Sequence, residues 1–202
     1  MPREAWLTKD RLETLVDGIF AIAMTLLVLN IKLPVMTDEE AKANLASALS
    51  RLTPHLFAFA MSFLLLAVFW MVHHRQFHSI AKIDGPFIWL NILMLGLIVL
   101  VPFTTSLVGE YEKNLLSVVL FEANLLAIGL SIWAYWWYAS KNHRLLVPDV
   151  TEKQIRYGLR RSMVLPVASV IAIGLAFITP RYSTTAYFLI PLMMIGIRND
   201  RS

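Results

Sequence analysis

Apolar residues along the chain gather into six blocks, and most polar residues fall in the links between them. A helix that crosses a bilayer needs about 20 predominantly apolar residues. Five blocks meet that length or come near it, at residues 12–33, 52–72, 86–108, 115–138 and 162–179. The sixth, at 182–197 (YSTTAYFLIPLMMIGI), is shorter and contains Pro191. The turn TPRYS, with the breaker Pro180, separates it from the fifth. The pattern predicts an all-α, polytopic membrane protein with six transmembrane helices, forming one domain over residues 1–202. No internal repeat, low-complexity tract or separate soluble domain interrupts it.

Composition agrees with this pattern. The 202 residues are 57% hydrophobic and 16% charged, whereas soluble domains run at about 45–50% apolar and about 25% charged. The chain has no cysteine, which excludes disulfides, thiolate catalysis and cysteine-held metals. The start MPREAWLTKD is charged and leads into a long apolar segment without a small-residue cleavage site. The first helix is therefore expected to act as its own insertion signal.

The net charge of +4 follows from topology rather than from a nucleic-acid partner, and none is expected. With six spans, one side holds both termini and the 2–3 and 4–5 links. It carries Arg3, Lys9, Arg11, Arg75, Lys82, Lys141, Arg144, Lys153, Arg156, Arg160, Arg161, Arg198 and Arg201, against Lys32, Lys42, Arg51, Lys113 and Arg181 opposite. The excess of Lys and Arg marks the cytoplasmic side, so both termini are expected to be cytoplasmic in a cell membrane. The second half of the 4–5 link, SKNHRLLVPDVTEKQIRYGLRRS, suits a short surface helix whose cations meet anionic lipid.

The first block begins RLETLVDGIFAIAMTLLVLNIKLP, residues 11–34. Between Asp17 and Lys32 lie only uncharged residues 18–31, which cover roughly 21 Å of helix, less than the ~30 Å hydrocarbon core. Lys32 can snorkel to the interface, but the short side chain of Asp17 must face protein or water inside the cytoplasmic edge. Topology places WMVHHRQF and WLN at a similar depth. Trp70, His73, His74, Asn91 and Arg11 are therefore candidate donors to Asp17. They form either a latch tying helix 1 to helices 2 and 3, or an ion or proton site. Ile22, Leu26 and Leu29, spaced i, i+4, i+7, share one stripe with Thr25 beside it. Such a stripe serves packing or lipid contact, or, repeated around an axis, a hydrophobic constriction that gates a pore.

Other chemistry is thinner. Glu122 on the fourth block and His55 on the second lie at roughly comparable depth. They suit either a proton relay, as in a proton-coupled carrier of small solutes, or a satisfied polar contact to which Asn124 adds. His74 and His78 have the i, i+4 spacing of zinc ligands, with His73 beside them, but no Asp, Glu or Cys set completes a site. No phosphate loop, nucleophile elbow or paired catalytic carboxylates are present, so neither enzyme nor resident cofactor is expected. The cluster WAYWWY, residues 133–138, suits an interfacial aromatic belt.

The run Arg11-x-x-x-x-x-Asp17 followed by AIA-x-T-L-L-V-L resembles the first helix of the transmembrane protein 175 family, the endosomal and lysosomal potassium channels and their prokaryotic relatives. Arg11 and Asp17 match its Arg-x-x-x-Phe-Ser-Asp signature, while Leu15 and Val16 stand where Phe and Ser are usual. FWMVHHRQF in helix 2, NILMLGLIVLVPFTTSL in helix 3 and the six-helix plan extend the likeness. The resemblance implies a homotetramer in the lipid bilayer with helix 1 lining a central pore. It implies constrictions at Ile22, Leu26 and Leu29, a selectivity layer at Thr25, and passage of monovalent cations with a weak potassium preference. It also implies no TVGYG carbonyl filter, and the sequence contains none.

Overall fold

The computed structural model describes residues 7–198. Arg3 and Arg201, assigned above to the basic side, lie outside the described residues, as does the side chain of Arg198. The regular elements among the described residues are all helices, with one isolated antiparallel bridge between Ile80 and Leu146. The first block is α1 (Lys9–Leu26), which tightens into a 3₁₀ turn at Leu27–Asn30. The 1–2 link, expected as an outer loop, contains α2 (Asp38–Ser50). Thr37 caps it reciprocally: its hydroxyl accepts from the Glu40 amide, and its own amide donates to the Glu40 carboxylate.

The second block is α3 (Thr53–His78), opened by Pro54 and closed by a last turn that holds Arg75, a cation that complements the helix dipole, and His78. The third block is broken. Pro102 has no amide to donate, so the ladder is interrupted at Leu100 and the segment runs as α4 (Gly85–Val99) and α5 (Val101–Glu110). The fourth is α6 (Leu115–Ser140), unbroken and capped by the Asn114 side chain. The surface helix expected in the 4–5 link is present as α7 (Glu152–Ser162), and it turns at Met163 into α8 (Val164–Ala176).

Among the described residues, five helical runs are long and apolar enough to cross a membrane: Lys9–Asn30, Thr53–His78, Gly85–Glu110, Leu115–His143 and Glu152–Ala176. The sixth block does not form one continuous helix. It is α9 (Pro180–Ser183), a 3₁₀ run at Thr184–Leu189, and α10 (Ile190–Arg198). A 3₁₀ helix rises about 2.0 Å per residue against 1.5 Å in an α-helix, so the summed length of these pieces is about 31 Å, near the thickness of the hydrocarbon core.

Helix α6 forms the centre, packed by α4, α5 and α8, while α3 packs on α5. Lipid tails are as apolar as leucine, so close packing and interhelical hydrogen bonds hold such a bundle rather than expulsion of water. Both are present. Ser62 bonds Thr105 at 2.7 Å between α3 and α5, and the Tyr135 hydroxyl donates to Gln76 at 2.5 Å between α6 and α3. Around the latter, Phe77, Phe87 and His73 pack on one another and on Tyr135, with centroids 4.6–5.7 Å apart. The expected aromatic belt is thus only partly a belt. Trp137 faces outward under the Lys141 ammonium, but Tyr135 and Trp136 are buried in packing. Gathering at the same end, Lys9 donates to the Ile80 carbonyl at 2.7 Å, and Ala81 donates to Leu145 at 2.8 Å.

Candidate functional site

Helix α1 lies at the edge of the bundle against α3, α4 and α5. Leu12, Val16, Phe20, Ala23 and Leu27, spaced by three and four, are buried there. Only 28% of its apolar span is buried within the subunit, the least of the five runs. The opposite face carries Ile22, Leu26 and Leu29, which are 59%, 41% and 69% exposed. Leu29 lies on the 3₁₀ turn rather than on the α-helix, where side chains three apart eclipse, so it stands over Leu26. The neighbouring stripe of this face holds Thr14, Gly18, Ala21 and Thr25, all exposed. Small and hydroxyl-bearing residues are typical of helix contacts rather than of lipid-facing surface. The Thr25 hydroxyl donates to the Ile22 carbonyl at 2.8 Å, which leaves its oxygen lone pairs available. At the far end Asn30 donates to the Pro102 carbonyl at 2.7 Å and pins the turn to the break between α4 and α5.

The polar residues expected around Asp17 separate into two groups. Trp70 Nε1 donates to the Asp17 carboxylate at 2.8 Å. Its ring stacks on His74, whose Nδ1 lies 3.7 Å from Glu13. These residues join α1 to α3 on the bundle surface. His73 and Asn91, also expected near Asp17, bond each other instead: His73 Nε2 donates to Asn91 Oδ1 at 2.9 Å, and Asn91 donates to the Phe87 carbonyl at 2.9 Å. They join α3 to α4 in the interior. The reason is helical phase, since His73 and His74 are adjacent and so point about 100° apart. Arg11 is exposed and makes no hydrogen bond or ion pair among the described residues. Glu13 was missed; its place four residues before Asp17 on the same helix face was the available signal.

The Glu122–His55 pair is not assembled. His55 Nε2 donates to Glu110 at 3.1 Å. Glu122 is fully buried and accepts from Tyr187 of the sixth segment, which also bonds Ser169. Asn124 faces α5, where it donates to Thr104 at 3.4 Å. Nor do the three histidines converge: His73 is buried, while His74 and His78 line a shallow surface depression with Trp70 and Arg75. Among the described residues, no group of three or more His, Cys, Asp or Glu is placed to hold a metal.

Comparison with known proteins identifies this architecture. A family model described as "Endosomal/lysosomal potassium channel TMEM175" matches residues 11–102, which cover α1 to the start of α5. A potassium channel of Streptomyces collinus is 30% identical over 186 residues, covering 90% of this chain and 89% of that protein. A potassium channel of Chamaesiphon minutus is 34% identical over 192 residues, covering 90% and 91%. The crystal structure of a lysosomal potassium-selective channel TMEM175 homolog from Chamaesiphon minutus superposes with a TM-score of 0.79 at 29% identity, over 96% of this chain and 98% of that one. Similarity to two bacterial channels over about nine-tenths of the chain, on a fold that matches a solved relative, makes this chain a member of the TMEM175 family.

Proposed function

We propose that the chain is a potassium-permeable cation channel whose pore is enclosed by the outward faces of α1 from four copies. The observation that carries this reading is the α1 face itself, where large apolar residues alternate with Thr14, Gly18, Ala21 and Thr25 and the subunit leaves all of them uncovered. Relatives named as potassium channels over nearly the whole chain support it. In this arrangement Ile22, Leu26 and Leu29 narrow a water column, and a small rotation or widening of α1 lets it wet. The Thr25 oxygens, their hydrogens held by the Ile22 carbonyl, replace part of a cation's hydration. Potassium releases its water more readily than sodium, which gives a weak preference without a carbonyl cage. Asp17 with Trp70, and His73 with Asn91, form the latch that fixes α1 against α3 and α3 against α4. The gathering of Lys9, Lys82, Lys141 and Arg144 at one end supports cytoplasmic termini in a cell membrane. It also supports the sixth segment as a sixth span, since the chain then returns to that side.

Potassium flux into liposomes tests the pore. Ile22→Asn or Leu26→Asn hydrates the constriction and should raise cation leak above wild type, with a current that grows linearly with driving force. Unchanged conductance in both variants would refute the assignment, and a flux that saturates and follows the proton gradient would point to a carrier instead.

A further inference from the structure

Three segments meet at the basic end of the bundle. The 2–3 link and the 4–5 link pair there across the Ile80–Leu146 bridge: Ala81 donates to the Leu145 carbonyl at 2.8 Å, and Val147 donates to the Ser79 carbonyl at 3.0 Å. Leu145 donates in turn to the Ala139 carbonyl at 3.0 Å, which ties the pair to the end of α6. Asp84 fastens it a second time. Its carboxylate caps α4 through the Phe87 amide at 3.1 Å, accepts from the Tyr138 hydroxyl at 2.7 Å and lies 3.5 Å from Arg144 Nε. Because Ser79 and Ala81 make the bonds of the bridge, the Ile80 carbonyl between them points away from the partner segment. It accepts from Lys9 Nζ of α1 at 2.7 Å, its sole partner among the described residues.

We infer that Lys9 is a positioning residue for the gate, bonded to the Ile80 carbonyl in the closed channel and released from it in the open one. Lys9 lies three residues before Leu12 and seven before Val16, so it extends the buried stripe of α1 toward the links. It stands on the side of the helix opposite Ile22 and Leu29. A bond from that stripe to a link fastened on α6 sets the rotation of α1 at its cytoplasmic end, as the Asp17–Trp70 and Asn30–Pro102 bonds set it further along. Rotation of α1 is the movement that turns Ile22 and Leu26 off the axis, and it carries Lys9 away from the carbonyl. A displacement of either link thus reaches the gate through one hydrogen bond. The inference rests on the reading that α1 encloses the pore.

The test uses the full-length protein in planar bilayers, with single-channel open probability read beside conductance. Lys9→Met keeps a long side chain and removes the ammonium. It should raise the ratio of open to closed time about tenfold, the change that one hydrogen bond to a charged group supports. Lys9→Arg restores a donor and should recover most of that change. Lys82→Met removes equal charge from an exposed position on the 2–3 link and should leave the ratio at the wild-type value, which separates the bond from the loss of a cation near the pore mouth. Tyr138→Phe loosens the links from α6 without touching α1. It should also raise the ratio, and by less in a Lys9→Met background, because both act through the same bond. An unchanged or lowered ratio in Lys9→Met, or an equal rise in Lys82→Met, overturns the inference. Should Lys9→Met fail to fold, an unchanged ratio in Tyr138→Phe overturns it. Wild-type protein that passes no cation current would instead fail the pore reading, and this inference with it.

Discussion

At Gly129 and Gly158 a single added methyl group would meet a neighbouring ring. A Cβ on Gly129 would lie 2.7 Å from Pro166 of α8, and one on Gly158 would lie 2.4 Å from Trp136. Both contacts are with rigid rings, so the helices themselves must separate. Gly129→Ala and Gly158→Ala should each cost about 1–3 kcal/mol, the usual range for overpacking a tight contact, measured as a lowered unfolding midpoint in detergent. Gly174→Ala is the control: nothing lies within 4 Å of its Cβ, and removing a mid-helix glycine should be neutral or stabilising by up to about 1 kcal/mol. Trp70→Phe keeps a ring against His74 but loses the donor to Asp17. It should cost about 1–2 kcal/mol, toward the low end for a hydrogen bond to a charged group because both partners reach the surface. That Asp17 needed a partner was legible from its depth on a short span. Which residue supplied it was not, because neighbouring side chains such as His73 and His74 separate by helical phase, and one apolar block fixes no phase relative to another.

At the scale of elements, the spans were legible because 20-residue apolar runs are dictated by bilayer thickness. The breaks within them also had causes in the sequence. Pro102 splits the third span, and the sixth becomes helix, 3₁₀ run and helix around Pro180 and Pro191. Helix α2 was missed although Thr37-Asp38-Glu39-Glu40 is a capping box followed by an alanine-rich run, because nothing on that helix is buried and hydrophobic periodicity is silent there. Its cap makes a pH prediction. The amide of Thr37 holds the Glu40 carboxyl below its ordinary value of 4.5. A carboxyl lowered in the folded state supports the helix as the carboxylate. The support is complete above the ordinary value and lost as pH falls through the lower one. The start of α2 should therefore fray in acid, read as falling protection of the Ala41 amide after correction for intrinsic exchange. Glu40→Gln, which removes the titrating group, should remove that pH dependence; protection that stays constant in the wild type would contradict the cap's role.

For the whole molecule, the decisive feature is an edge helix with one face packed on its own subunit and the other bare. Ile22, Leu26 and Leu29 could be placed on a common stripe from spacing alone, but whether that stripe faced the bundle interior required the fold. Phe20 and Ala23 won the interior, and the predicted constriction residues were left outside it. The chain contains no cysteine, so single cysteines can be introduced without background. The most direct measurement is cross-linking of membrane-embedded Ile22→Cys protein with a short bifunctional maleimide, alongside Phe20→Cys, buried within the subunit, and Leu64→Cys, exposed on α3. If sister α1 helices face one another around a pore, Ile22→Cys yields covalent dimers while Phe20→Cys and Leu64→Cys do not. Monomers alone at Ile22→Cys, or dimers equally at Leu64→Cys, would contradict it.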